Sequence, residues 1–347
     1  MKNVFALIAF GLFMRLGCIV QAQPERLFYY IDEENSYESV VENIADIDIL
    51  APAAYSADAD GIVWGQVDPR ILSLAAQHEV AVMPLIFNPG FDQASLSALL
   101  ASDEARARAV KTMVDECRKF DYAGIQFDFE NLSINDRDSF SRFFKEAADA
   151  LHADGRLISI AVVHRPEESP GPTKYFKWLY RNWRAGYDLS AIAESADFVS
   201  VMTYSQHTRR TPPGPNASIP WMIKNVEYFL EHVPPEKLSL GIAVTSQHWS
   251  TEQDDQYVAN ARSWSNSLSH SEAIGLAERY EASFNWLDDQ GVAYTFFDNA
   301  GLFEWVFLED ARSFRRKFEL VGTYGLRGIS VWVIGYEDPG IWAIVAR

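Results

Sequence analysis

The chain has 347 residues, 48% of them hydrophobic and 14% aromatic, enough to bury one large core or two smaller ones and too apolar for a disordered chain. Its formal net charge of −18 argues against a nucleic-acid partner, because phosphate recognition depends on clustered Lys and Arg. That balance favours a ligand that is neutral or recognised by a local patch.

Met1-Lys2-Asn3 opens the chain with positive charge, an apolar run follows from Val4 to Met14, and Val20-Gln21-Ala22 has the small-residue pattern of a secretory cleavage site. Residues 1–22 are therefore expected to be a signal peptide and the protein to be secreted or periplasmic. The run is shorter than the roughly 20 residues needed to span a bilayer, so the mature form is expected to lack a membrane span. Leu16-Gly17-Cys18 is faintly similar to a lipoprotein signal, but Arg15 stands where that signal wants an apolar residue. Removing residues 1–22 takes away Lys2 and Arg15, which makes the net charge −20, and leaves Cys117 as the sole cysteine. An internal disulfide is then impossible, and no Cys and His spacing suggests zinc.

Beyond residue 22, short runs rich in Val, Ile, Phe and Tyr alternate with helical stretches. Strands are expected over Leu27–Ile31, Ile47–Ala54, Val80–Phe87, Gly124–Phe129, Leu157–Val163, Phe198–Tyr204, Leu238–Val244 and Gly328–Val333. The clearest helix carries Phe140, Phe143, Phe144, Ala147, Ala148 and Leu151 at helical spacing, with Asn135 and Asp136 as candidate caps. Strands apolar on both faces, alternating with amphipathic helices, predict an α/β fold with a parallel sheet, and eight such units predict a (β/α)8 TIM barrel. An open doubly wound sheet is the rival, but no Gly-rich phosphate loop follows the first strand. The gap between strands seven and eight is too long for one helix, so a small α+β insertion is expected over 250–304, with a helix over Ala273–Leu287 and a strand over Val292–Phe297. A last helix is expected over Glu309–Leu320. With no repeat or linker visible, residues 23–347 form one expected domain.

The stretch Gly124-Ile125-Gln126-Phe127-Asp128-Phe129-Glu130 alternates polar and apolar residues. In a strand, Gln126, Asp128 and Glu130 share one face while Ile125, Phe127 and Phe129 share the other. Two carboxylates roughly 6 to 7 Å apart on one face are costly to bury, and crowding raises a pKa toward the range a general acid needs. A loop cap or a structural ion pair would explain the same spacing without chemistry. In a barrel the strand exits converge on one pocket. Those exits hold Tyr30 and Asp32, Asn88, Asp128 and Glu130, His164 and Arg165, Tyr204, Gln206 and His207, then Gln247, His248 and Trp249, and finally Trp332 with Glu337 and Asp338. Aromatic faces stack on sugar rings, and carboxylates, amides and imidazoles bind hydroxyls, so the set suits a carbohydrate. His164, His207 and His248 are a conceivable metal trio, although histidines at loop starts more often serve as hydrogen-bonding groups.

The strand over Gly124–Glu130 resembles the active-site strand of glycoside hydrolase family 18, whose acidic pattern ends in the catalytic glutamate. Met202-Thr203-Tyr204 is similar to the family's Met-x-Tyr, and Gly328-Ile329-Ser330-Val331-Trp332 to its eighth strand with a pocket-floor tryptophan. Pro84-Leu85-Ile86-Phe87-Asn88, residues 215–221, Gly241-Ile242 with Trp249, and Gly335-Tyr336-Glu337-Asp338-Pro339 resemble the branch of spore-cortex and peptidoglycan N-acetylglucosaminidases and related bacterial chitinase-like proteins. The resemblance spans nearly the whole chain after residue 22.

The resemblance implies retaining hydrolysis assisted by the substrate's own acetamido group, with Glu130 as general acid and base, Asp128 orienting the acetamido N–H and Tyr204 holding its oxygen. It implies substrate contacts from Gln126, Trp332, Tyr30, Asn88, Met202, Ser205, His164, His207 and Trp249, with no metal and no cofactor. The implied partner is a polysaccharide containing N-acetylglucosamine, peptidoglycan or chitin, met by a monomer. The sequence departs from the family pattern at Ala123, Gln126 and Ser205, where acidic residues are usual. Those departures keep open a catalytically weak, lectin-like glycan-binding protein as the alternative, and a metal-dependent barrel enzyme as a further one.

Overall fold

A computed structural model describes residues 23–208, 210–252 and 263–346. The expected signal peptide, with Cys18, lies outside these residues. Fifteen strands are present among them: β1 (Glu25–Tyr30), β2 (Ile49–Ala57), β3 (Val63–Gly65), β4 (Ala81–Val82), β5 (Leu85–Phe87), β6 (Gly124–Phe127), β7 (Leu157–Val163), β8 (Phe198–Met202), β9 (Leu238–Ala243), β10 (Ser246–Glu252), β11 (Ser263–Leu268), β12 (Asn285–Leu287), β13 (Val292–Asn299), β14 (Leu302–Leu308) and β15 (Gly328–Trp332).

Parallel pairing runs from β1 through β2, β5, β6, β7, β8, β9 and β15 and returns to β1, which closes an eight-stranded barrel wrapped by helices. This is the (β/α)8 fold. The third barrel strand is split, because Pro84 has no N–H to give the ladder and separates β4 from β5. At the start of β6, Gly124 allows close approach to β7; a Cβ there would stand 2.1 Å from the Leu157 carbonyl oxygen.

Alternation along β1 divides the core. Leu27 and Tyr29 point into the barrel with Ile49, Ala51, Met83, Leu85 and Phe198. Phe28 and Tyr30 point outward into the layer between sheet and helices. The helix over Arg137–Ala153 buries the six residues its periodicity selects, and Phe127 and Phe129 pack on it with ring centroids 5.3 Å from Phe143 and 6.3 Å from Phe140. Its entrance differs from expectation. Asp136 occupies the N-cap position, but its side chain makes no cap bond and accepts from Ser97 instead, while Ser133 caps a preceding 3-10 turn that contains Asn135.

Between β9 and β15 the chain builds an antiparallel sheet in the order β11, β10, β14, β13, β12, packed on a helix over His270–Arg279. The helix expected over 273–287 thus stops at Arg279, where a turn leads into β12. The sheet starts at Ser246 and ends at Leu308, a few residues outside 250–304 at each end; residues 253–262 lie outside the described residues. The last long helix runs Ala311–Tyr324, entered by an Asp310–Ser313 capping box and ended by left-handed Gly325. No described helix is long and apolar enough to cross a membrane.

Candidate active site

β6 ends at Phe127, two residues before its expected limit, yet the alternation continues. Asp128 N–H still donates to the Ile86 carbonyl, and Asp128 and Glu130 face one cavity while Phe129 stays in the helix layer. The backbone that carries Glu130 is held from three sides. The Asn88 carboxamide accepts from its N–H and donates to its carbonyl, both at 3.0 Å, and Tyr187 Oη donates to the Phe129 carbonyl at 2.7 Å. Asn131 follows in a left-handed conformation (φ 55°), which Asn tolerates better than most residues, and its amide donates to the Phe91 carbonyl.

Glu130 lines two adjoining cavities. The smaller, of about 230 Å³, is walled by Tyr29, Leu85, Phe91, Asp128, Ala161, Met202, Tyr204 and Trp332. The larger, of about 460 Å³, also contains Met202 and Tyr204 and extends past His164, Ser205, Trp178, Trp183, Arg184 and Arg210. The two together form one cleft at the C-terminal mouth of the barrel with Glu130 at the junction.

Among the described residues no ion pair reaches Asp128 or Glu130. Burial pushes Asp128 up to about 7. Burial, and then the neighbouring Asp128 charge, push Glu130 well above the usual carboxylate range. Both residues keep some accessible surface at the cleft, so the shifts arise from dense surroundings rather than from full enclosure. The Asp128 charge opposes ionisation of Glu130, so the pair holds protons above the usual carboxylate range. Asp128 Oδ1 is buried without a hydrogen-bond partner, an acceptor left unused inside the protein. Tyr204 is raised well above its ordinary value by burial and by the charges of Tyr29, Asp128 and Glu130, so it remains a phenol able to donate.

Beneath the carboxylates, Gln126 has no exposed surface and donates to Ser200 Oγ at 3.2 Å, continuing through Ser330 to Ser239 at 2.7 Å steps. Gln126 is thus part of a polar network inside the barrel rather than a surface a ligand touches. The same correction applies to Asn88, which is fully buried and grips the Glu130 backbone.

Three further expectations are corrected. Tyr30 faces the helix layer because the strand alternates, and its neighbour Tyr29 enters the cavity instead. Trp249 is 0% exposed, donating from Nε1 to the Gly214 carbonyl at 3.0 Å in the core of the inserted sheet. His207 lies against Gly214 from another side, with Nδ1 3.1 Å from the Pro212 carbonyl, and lines neither cavity. Trp249 and His207 therefore fix the loop around Gly214. Trp332, Met202, Tyr204, Ser205 and His164 do line the cleft. Ser205 is left-handed (φ 60°), and its N–H donates to Asn216 Oδ1 at 2.8 Å.

His164 and Arg184 meet at 2.6 Å between His164 Nε2 and Arg184 Nη2. A guanidinium only donates, so Nε2 accepts and the ring proton sits on Nδ1, toward the backbone of Tyr204 and Met202. Burial, and then the Arg184 charge, hold His164 down at about 3, so the ring is neutral. The three histidines go to separate partners, His248 Nε2 lying 2.7 Å from Glu304. Among the described residues no three His, Cys, Asp or Glu side chains gather as a metal site. Sequence reasoning missed Tyr29, Phe91, Trp183, Arg184 and Asn216. The signal for Trp183 and Arg184 was a local excess of aromatic and basic residues after strand five.

A closed parallel barrel with an unpaired carboxylate couple at its C-terminal mouth and aromatic walls defines a barrel of the glycosidase type. The profile of "Glycosyl hydrolases family 18" matches residues 26–337, and the chain belongs to that family. Within it the chain is close to the spore-cortex lytic enzymes. It is 26% identical over 319 residues to the cortical fragment-lytic enzyme of Bacillus subtilis, covering 90% of this chain and 70% of that relative. It is 28% identical over 297 residues to the provisionally described sporulation-specific glycosylase YdhD of the same organism, covering 84% of this chain and 66% of the relative, so it spans just under two thirds of that protein. The solved chitinase of Chromobacterium violaceum superposes with a TM-score of 0.81 at 27% identity, covering 93% of this chain and 98% of that one.

Proposed function

We propose that the protein is an exported glycoside hydrolase that cleaves β-1,4 bonds in N-acetylglucosamine-containing glycan with retention of configuration. Protonated Glu130 gives its proton to the glycosidic oxygen as the C–O bond breaks. The carbonyl oxygen of the sugar's own acetamido group bonds to the anomeric carbon, giving an oxazolinium ion. The Asp128 carboxylate accepts the acetamido N–H and balances the developing charge, while Tyr204 donates to the acetamido oxygen. Water then adds to the anomeric carbon, Glu130 takes its proton, and the ring opens to the hydrolysed sugar. Trp332 is the floor beneath that sugar.

The observation that carries this reading is the unused buried acceptor on Asp128 beside a raised, unpaired Glu130, both facing one cavity. The absence from the scheme of a second nucleophilic carboxylate is natural, because the substrate supplies the nucleophile. The names of the Bacillus relative, a cortical fragment-lytic enzyme, and of the Chromobacterium chitinase support a glycan of this class. Mass analysis of products released from peptidoglycan and from chitin oligomers, by the parent and by Glu130→Gln, tests it. Soluble products from the parent alone are expected; equal release by both would sink the role of Glu130.

Ser205 favours a second reading. It is exposed and brings no carboxylate to the acetamido side, as a weakly catalytic glycan-binding protein would tolerate. Co-sedimentation with purified cell walls without soluble products would select it.

A further inference from the structure

Residues 169–187 carry Lys174, Lys177, Arg181 and Arg184 and no acidic residue, in a chain of net charge −18. This segment walls the larger cavity with Tyr175, Trp178, Trp183 and Arg184. Of these four cations Arg184 alone lines the cavity, on the same wall as Glu130.

Arg184 is its focus. Elsewhere the fold pairs its buried guanidinium groups with acids. Arg26 lies 2.8 Å from Asp48, Arg106 lies 2.9 Å from Glu146, and Arg165 lies 3.7 Å from Glu168. Arg184 is partly buried, hydrogen-bonded to the neutral His164 and near Tyr175, with no carboxylate in an ion pair among the described residues. Burial without a counterion pulls it down to about 10, a cost that an entering anion would relieve. Holding a neutral imidazole does not require a full positive charge, so packing alone leaves the guanidinium unexplained.

Two further features turn the wall toward a ligand. Arg210 lines the same cavity, 5.2 Å over Tyr175 and 5.9 Å over Trp178. Trp178 remains 44% exposed, and the Trp183 Nε1 donor is buried without a partner. The wall thus combines an open aromatic face, an unused donor and two cations that have no carboxylate partner among the described residues.

We propose that this wall is a subsite for a sugar bearing a carboxylate, such as a hexosamine with an O-linked lactyl acid, seated beside the N-acetylhexosamine cleaved at Glu130. The carboxylate lies between Arg184 and Arg210, and the ring rests on Trp178. Guanidinium forks suit carboxylates, and indole faces suit sugar rings. The inference rests on the hydrolase reading above and narrows it: a neutral homopolymer such as chitin leaves Arg184 unpaired, whereas an alternating acid-bearing glycan satisfies it.

The test compares kcat/KM of the full chain on peptide-free glycan strands with free lactyl carboxylates and on the same strands after conversion of those carboxylates to methyl amides. The parent is expected to prefer the acid strands by about tenfold or more. Arg184→Gln is expected to bring that ratio close to one, chiefly through KM, and Arg210→Gln to lower it less. The ratio is internal to each variant, so a general loss of folded protein does not mimic the effect, and Arg210→Gln provides a site that leaves His164 untouched. Equal turnover of acid and amide strands by the parent, or an unchanged ratio in Arg184→Gln, overturns the subsite. Should neither strand nor chitohexaose be cleaved, the hydrolase reading fails. The subsite is then decided by equilibrium binding of both strands to the parent and to Arg184→Gln, where equal affinities overturn it.

Discussion

The protein treats the buried carboxylates of two of its regions in opposite ways. Glu309, behind the barrel mouth, is 4% exposed and receives Lys317 Nζ at 2.5 and 2.6 Å together with Ser313 Oγ at 2.9 Å. Burial still raises its pKa, but the lysine charge and the hydrogen bonds oppose that rise. Among the described residues Asp128 and Glu130 receive no cation, and Asp128 Oδ1 receives no hydrogen bond. The fold can satisfy a buried acid where only structure is at stake. Where it leaves one unsatisfied, the missing partner is the mark of a group that must change protonation or meet a ligand.

The contrast breaks most visibly at Glu130. Glu130→Gln is expected to lower kcat/KM for glycan hydrolysis by about 10²- to 10⁴-fold, the range of general acid catalysis, while unfolding curves stay close to the parent's. A comparable loss of stability would place Glu130 with Glu309. Lys317→Met is the mirror experiment. It leaves Glu309 buried without its cation and is expected to cost about 3–5 kcal/mol in denaturant unfolding, with the pH dependence of hydrolysis unaltered in whatever folded protein remains.

Asp128→Asn sharpens the comparison because activity and stability move in opposite directions. Activity is expected to fall about 10²- to 10³-fold. For stability, the Asp128 pKa of about 7 in the folded chain stands above its ordinary value of 3.8. The folded state therefore holds a proton that the unfolded state releases as pH rises between those values, and stability is lost across that window. Asp128→Asn is thus expected to raise stability at pH 8 by roughly 1–3 kcal/mol and to change it little at pH 3. Calorimetry at the two pH values checks the sign, and destabilisation at pH 8 would contradict it. The smallest effect is expected from Asn88→Ala, which frees the Glu130 backbone without touching a ligand: kcat falls about tenfold or more with KM nearly constant. A KM effect instead would return Asn88 to the ligand-contact set.

Much of this was legible because strand alternation is rigid chemistry. The spacing of Asp128 and Glu130 against Phe127 and Phe129 placed both acids on the inner side even though the ladder ends at Phe127. The periodicity of Phe140 to Leu151 likewise selected a helix face that is entirely buried. The errors have physical causes. β1 is buried on both faces, so Tyr29 and Tyr30 are equivalent in hydrophobicity, and only the barrel register decides which enters the cleft. Trp249 sits in a strand of the inserted sheet, whose extent depends on pairing with residues some 50 positions later, from Leu302 onward. Asn88 and Asn216 act through backbone groups distant in sequence, a role that leaves no local pattern. The basic and aromatic excess around Arg184 is visible in the sequence, but its meaning is not, because a charge stands out only once its surroundings are known to lack the opposite one.

The central claim is that Asp128 and Glu130 stay protonated above the ordinary carboxylate range because burial disfavours their charges and, among the described residues, no cation neutralises them. Carboxyl ¹³C NMR titration of the protein, with the two signals assigned by Asp128→Asn and Glu130→Gln, tests it most directly. The account predicts that both carboxyls titrate above their ordinary values, with Asp128 near 7. Two carboxyls that both titrate at ordinary acidic values would contradict it.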